Sequence, residues 1–370
     1  MHNKTYCNII KKGLFVSHQG VSLCCINPDK HQMTPSEFWR GDTRKTALEN
    51  MERENKIKGC DVCYNNEERK TSSSRMFYNS YKNIEYKDLP TMLDLDFSNF
   101  CNLKCVMCSA TRSSEWAKDQ GNGVSSISKE LIDDLFNISN EVTQITIQGG
   151  EPSIMREYEY YFELLDNVGI IKNIDLQVIT NATNVNNKFY ALLEKFKSVR
   201  LSVSIDAFGK ANDYIRWPSH FDQIEKNLIK ISDLKNTVRV EILNSLNILS
   251  MFNYKEFLFW CKKIERIYAE KDKCIGIIPM KVIKPIEYSP FIAPLLLKEK
   301  FIQDVQEFLD KENLIHNSNF KTEILMIFKR LKNSSTDDDG LSRLKTIITQ
   351  LDKQRNSNII NFIPNFYNYI

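Results

Sequence analysis

The chain has 370 residues, 42% of them hydrophobic and 26% charged, with a formal net charge of +3. These values fit a globular protein with one large domain and an appendage, or two ordinary domains, and they exclude a broad nucleic-acid-binding surface. The opening residues carry charges and a glycine where a secretion signal needs an unbroken apolar core. The nearest approach to a membrane span, SPFIAPLLL, is far shorter than the roughly 20 residues required. The chain is therefore expected in the cytoplasm, with no membrane partner and its ten cysteines reduced.

Residues 1–64 are short, turn-rich and hold five of those cysteines, Cys7, Cys24, Cys25, Cys60 and Cys63. GLFVSHQGVSLCC predicts a hairpin turning at His18-Gln19-Gly20. SEFWRGDTRKTALENMERE (36–54) follows as one helix with Ser36 as its N-cap. The polar stretch 65–83, including Arg75, reads as a solvated connector.

From about residue 90 strands alternate with helices. The strands are predicted at 92–97, 143–147, 174–180, 199–205, 238–246 and 275–280. Most are β-branched or leucine-rich runs without strict alternation, as expected of a parallel sheet covered on both faces. Helical patterns fill the intervals, among them SKELIDDLFNI, YEYYFELLDNVG, KFYALLEKF, FDQIEKNLIKI and YKEFLFWCKKIERIYAE. The fold class is α/β, a partial (β/α)6 TIM-like barrel, with an open doubly wound sheet as the alternative. Residues 296–370 read as helical, closing on a polar and aromatic tail that folds back on the barrel.

Chemistry concentrates after the first two of these strands. LDLDFSNFCNLKCVMCSATRSSEW carries Cys101, Cys105 and Cys108, spaced C-x3-C-x2-C. Catalytic groups of parallel barrels gather at such strand ends. Three thiolates on a cubane leave one iron open, the counterpart of an open catalytic metal site. The same spacing also suits one face of a helix, and three cysteines without a His make an incomplete zinc set. Gln148-Gly149-Gly150-Glu151-Pro152 follows the second strand: the glycines admit a close backbone approach and the carboxylate can accept from an ammonium. Alone that motif is a strand-to-helix turn; with the triad it becomes specific.

Over about residues 90–290 the chain resembles the radical SAM superfamily, on CNLKCVMC, GGEP, TNAT and SVSIDAF in succession. That resemblance implies a four-iron four-sulfur cluster on Cys101, Cys105 and Cys108, with S-adenosylmethionine chelating the open iron. Gly149, Gly150, Glu151 and Pro152 would shape the pocket, Glu151 binding the methionine ammonium. Asn181, Ser204 and Asp206 would contact the ribose and the methionine carboxylate. Arg216 would pair with that carboxylate and Asn247 would add a polar contact; ordinary capping accounts equally well for these five. Met107, where the family often has an aromatic residue, would touch adenine. The implied reaction is one-electron cleavage to a 5′-deoxyadenosyl radical, which abstracts a substrate hydrogen; a flavodoxin or ferredoxin would supply the electron.

Residues 1–85 look like a twitch domain, the shortened relative of the SPASM domain. By that resemblance Cys7, Cys24, Cys60 and Cys63 hold an auxiliary four-iron four-sulfur cluster, with Cys25 the alternative to Cys24 and structural zinc the rival occupant. The barrel would span 86–295 and the helical extension 296–370. Cys261 is expected in the core, and so is Cys274, although a strand-end thiol could instead donate hydrogen to a substrate. Substrates of such relatives include peptide or protein side chains, sugars and nucleotides. No recognisable peptide-binding module precedes the barrel, which sets the expectation against a leader peptide. A non-enzymatic, metal-stabilised cysteine-rich interaction protein and a conventional methyltransferase are the competing classes.

Overall fold

The computed structural model describes residues 5–68, 73–80, 88–185, 187–281, 285–312 and 320–370. In chain order the elements begin α1 (Asn8–Lys12), β1 (Gly13–Ser17), β2 (Gly20–Ser22), α2 (Pro35–Arg40), α3 (Asp42–Glu52), α4 (Asp61–Glu68) and α5 (Ser74–Asn79). Then come β3 (Met92–Asp96), α6 (Ser114–Asp119), α7 (Lys129–Asn137), β4 (Gln144–Ile147), α8 (Arg156–Asn167), β5 (Asp175–Thr180) and α9 (Asn187–Leu193). The βα alternation continues through β6 (Ser198–Ser204), α10 (Lys210–Ile215), α11 (Phe221–Ile231), β7 (Thr237–Leu246), α12 (Tyr254–Ala269) and β8 (Ile275–Lys281). Four helices close the chain: α13 (Leu295–Lys311), α14 (Phe320–Lys332), α15 (Asp338–Arg355) and α16 (Phe366–Tyr369). Strands β3 to β8 match the six predicted ones to within a residue at each end, and the succession is that of a partial (β/α)6 TIM-like fold.

The chain divides into two units. The first comprises Met1–Phe100, Gly121–Val178 and Asn186–Val199. Within it β1 and β2 form the predicted antiparallel hairpin, and β1 also pairs in parallel with β3, Gly13 opposite Met92 and Ser17 opposite Asp96. β3 pairs with β4 and β4 with β5, both in parallel. All five residues of β1 and of β3 are buried, Asp94 and Asp96 included, whereas β4 and β5 depart from the expected pattern by alternating buried with half-buried positions. Tyr158, Tyr161, Phe162 and Leu165 recur at helical spacing on α8 and are fully buried, the Tyr158 ring stacking on Phe97 at 4.8 Å.

Two predictions for this unit need correction. The helix predicted over 36–54 is two helices broken at Gly41, whose extended backbone leaves a Cβ only 2.6 Å from Glu37 O. Its cap is Thr34 rather than Ser36: Thr34 Oγ1 accepts from Glu37 N–H, Glu37 accepts in return from Thr34 N–H, and Pro35 fills the first helical position. Of the connector predicted over 65–83, residues 69–72 and 81–83 lie outside the described residues. The remainder is largely helical, and Arg75 is not solvated: it is ion-paired with Glu67 and donates to Tyr6 O at 3.0 Å.

The second unit comprises Cys101–Gln120, Ile179–Val185 and Arg200–Ile370. In it β6, β7 and β8 are neighbours in that order, β7 and β8 parallel with Val240 opposite Ile275. Leu201, Val203, Ile242, Tyr254, Phe257 and Phe301 are buried in its core. Cys261 is buried on α12, as its spacing predicts. Cys274 is exposed instead, because it leaves a turn at Asp272 (φ 54°) just before β8 begins. The tail packs as predicted, Phe362 against Tyr214 and Trp217 and Phe366 against Phe252. Among the described residues no helix is long and apolar enough to cross a membrane.

Candidate functional site

The segment carrying Cys101, Cys105 and Cys108 is not helical, which removes a packed helical stripe as the reason for the spacing. Its shape comes from hydrogen bonds made by its own unit. Ser113 Oγ donates to Leu103 O (2.7 Å), Ser114 Oγ to Cys101 O (3.1 Å) and Trp116 Nε1 to Cys105 O (2.8 Å). On its other side Lys104 N–H donates to Trp217 O (2.6 Å) and Val106 N–H to Ile215 O (2.8 Å). Cys101, Leu103 and Cys105 are buried together, with Met107 and Cys108 packed against them half-buried. Burial pushes the Cys105 thiol up to about 12, against the pull of the Arg216 guanidinium and with a further push from Cys108.

Arg216 stands 3.9 Å from Cys105 Sγ. Its Nη2 donates to Asp206 Oδ1 (3.1 Å), and its Nε lies 2.8 Å from Oδ2. Asp206 is fully buried and also accepts from Ser245 N–H (2.8 Å). Asp206 and Arg216 are thus each other's partners, a pairing that a single-residue reading of the sequence cannot detect. Asn181 is buried after β5, donating to Asn102 Oδ1 (3.0 Å) and accepting from Thr183 N–H (2.9 Å). Ser204 ends β6, half-buried. Asn247 is fully buried and closes the loop after β7: its Oδ1 accepts from Leu249 and Ser250 N–H (3.0 and 3.2 Å), while its Nδ2 donates to Ser245 O (2.8 Å).

Gly149, Gly150, Glu151 and Pro152 belong to the first unit. Gly150 N–H donates to Ser98 O (2.9 Å) and Glu151 N–H to Phe100 O (2.8 Å), so the loop after β4 lies against the loop after β3. This approach requires both glycines. Gly149 has φ +118°, and a Cβ there would sit 2.5 Å from Asp96 Oδ1; one on Gly150 would sit 2.0 Å from Phe100 O. Glu151 is fully buried and caps the single 3-10 turn Pro152–Ile154, Oε1 accepting from Ser153 N–H (3.1 Å) and Oγ (2.6 Å).

The N-terminal cysteines gather elsewhere in the first unit. Cys7, Cys24, Cys60 and Cys63 line one cavity, together with Tyr64, Arg75 and Tyr78. Cys7 precedes α1, Cys24 follows the hairpin, and Cys60 and Cys63 flank the start of α4, with Cys63 N–H donating to Cys60 O at 3.0 Å. Burial, then the proximity of Cys24, pushes the thiols of Cys7 and Cys60 up to about 12. Cys25 is not among the residues lining the cavity: its Sγ lies 4.0 Å from Tyr78 Oη, and its thiol is raised by burial and by Asp94. Among the described residues no three His, Cys, Asp or Glu side chains converge on a single-ion position.

Sequence reasoning missed Arg355 of α15, which donates to Lys104 O inside the cysteine loop. No motif surrounds it, and its partner lies far away in the chain.

Residues 95–257 match the radical SAM superfamily. Among curated proteins nothing matches the chain. Solved structures similar to it include Streptococcus suis SuiB bound to precursor peptide SuiA, at 15% identity over 79% of this chain and 55% of that one (TM-score 0.41). Others are native anSMEcpe with bound AdoMet and Cp18Cys peptide (20%, covering 59% and 58%, TM-score 0.39) and TYW1 with a lysine-pyruvate adduct (15%, 60% and 72%, 0.33). The chain spans less than two thirds of the length of the first two, and likeness at these TM-scores carries no argument about function. The family match encloses the cysteine triad, the GGEP loop, Asn181, Ser204, Asp206, Arg216 and Asn247, and residues 95–257 of this chain form a radical SAM domain by that match.

Proposed function

We propose that this chain is an enzyme that reductively cleaves S-adenosylmethionine at a four-iron four-sulfur cluster on Cys101, Cys105 and Cys108, and directs the resulting radical chemistry at a C–H bond of its substrate. The observation that carries the reading is the family match over residues 95–257, which contains a non-helical loop presenting those three cysteines. The donor set fits the group: three thiols in one loop, two of them buried, beside a guanidinium that eases their deprotonation. What the bound pair supplies is one-electron cleavage of a carbon–sulfur bond.

The chain's own residues then bind, orient and exclude water. Glu151, already buried and oriented by Ser153, is the proposed acceptor for the methionine ammonium, with Gly149, Gly150 and Pro152 forming the surrounding wall. Asn181, Ser204 and Asn247 are the proposed polar contacts to the ribose and the carboxylate, and Met107 the apolar contact to adenine. Asp206 and Arg216 would act as a neutralised pair, which costs less to keep buried than either charge alone. No acid–base histidine is needed.

We assign residues 1–85 to an auxiliary-cluster segment, 86–295 to the barrel and 296–370 to a helical extension. Four thiols arranged round one cavity suit a cubane, which takes a ligand at each of four corners, and Cys24 rather than Cys25 lines that cavity. The reductant would be a flavodoxin or ferredoxin in the cytoplasm. The substrate would be a peptide or protein side chain, or a sugar or nucleotide.

The test is product identification after anaerobic reconstitution and incubation with S-adenosylmethionine and dithionite. 5′-Deoxyadenosine is expected, and it should vanish when Cys101, Cys105 and Cys108 are changed together to Ala. Release of S-adenosylhomocysteine would instead mean a methyltransferase. No product from a cluster-loaded chain would leave a metal-stabilised interaction protein.

A further inference from the structure

In the second unit, residues 104–106 run beside residues 215–217, and Cys105 lies between the two hydrogen-bonded rungs. α15 ends at Arg355, whose guanidinium reaches both sides of this ladder. Nη2 donates to Lys104 O (3.1 Å), and Nη1 donates to Tyr214 O (2.9 Å). One planar fork therefore ties the cysteine loop to the segment that braces it, a geometry lysine cannot reproduce.

The fork is itself held in place. Tyr214 Oη donates to Asp352 Oδ1 (2.9 Å), one helical turn before Arg355, and Asp352 Oδ2 accepts from Ile359 N–H (2.9 Å). The guanidinium carbon lies 5.1 Å from the Tyr214 ring centre and 5.4 Å from that of Trp217, rings against which Phe362 also packs.

The two arginines near Cys105 differ in charge balance. Arg216 is neutralised by Asp206. Arg355 donates to two carbonyls and, among the described residues, forms no salt bridge; Asp352, one turn earlier on α15, is the carboxylate that acts on it from further away. Reduction makes an iron–sulfur cluster more negative, and the potential of such a cluster responds to net charge nearby.

We propose that Arg355 is a positioning residue for the cluster site: its fork fixes the cysteine loop, and its charge, held in no salt bridge, favours the reduced cluster. This rests on the function proposed above. It makes the 296–370 extension part of the redox site rather than an appendage.

The experiment uses the full chain, reconstituted anaerobically, as wild type, Arg355→Gln, Arg355→Lys and the triple cysteine-to-Ala variant. Two quantities are read on the spectroscopic signal that the triple variant lacks: its midpoint potential, and the rate at which a chelator removes its iron. Arg355→Gln should shift the potential downward. Arg355→Lys should keep the potential near wild type yet lose iron several-fold faster. A wild-type potential in Arg355→Gln, or a wild-type rate of iron loss in Arg355→Lys, overturns the proposal; if one variant does not fold, the other decides. If the wild type has no signal that the triple variant lacks, the cluster reading has failed instead. The clamp is then judged by amide exchange at residues 104–106, faster in Arg355→Lys if the fork holds the loop and unchanged if it does not.

Discussion

At the scale of single residues, Gly150 in the loop after β4 leaves no room for a side chain. A methyl group there would sit 2.0 Å from a backbone oxygen, which cannot move without dragging the loop after β3. Gly150→Ala is therefore expected to cost about 2 kcal/mol or more in a denaturation experiment, even in chains that carry no cofactor. Cys24 and Cys25 give a second prediction. Cys24→Ser should lower the iron bound at the N-terminal site, whereas Cys25→Ser should leave it intact, as iron analysis in a background lacking the triad would report. The sequence could not separate these neighbours, because adjacent residues after a strand point in opposite directions, and only the fold decides which faces the cavity. The triad and the GGEP loop were legible because their meaning is local: three thiols in eight residues, two glycines and a carboxylate at a strand end. Arg355 was illegible, since its role depends on contacts with residues distant in the chain.

At the scale of elements, the six barrel strands could be read nearly to the residue because each places β-branched or leucine residues at buried positions between polar turns, even where β4 and β5 alternate buried with half-buried residues. The hairpin was legible too, but not the parallel pairing of β1 with β3, which depends on a partner seventy-nine positions away in register. Gly41 shows the opposite failure. Helical periodicity runs through it, yet the capping box at Thr34 starts one helix and the extended glycine begins another. The end of α15 offers a direct energetic test. Tyr214→Phe removes the hydrogen bond to Asp352 while keeping the ring, and should cost about 1 to 2 kcal/mol by chemical denaturation. A change within error of zero would mean that this hydrogen bond does not help to hold α15, leaving the Arg355 fork and the apolar contacts to do so.

At the scale of the whole molecule, seven of the ten cysteines fall into two groups in two units: four round a cavity in the first, three in one loop of the second. Nothing in composition or charge separates such a protein from an ordinary globular enzyme; the grouping of thiols does. Whether the triad holds a cluster of its own is read most directly from iron and sulfide per chain after anaerobic reconstitution, wild type against the triple Cys101, Cys105 and Cys108 to Ala variant. About eight irons with matching sulfide are expected in the wild type and about four in the variant. Equal iron in the two proteins, or little iron in either, would contradict a cluster on the triad.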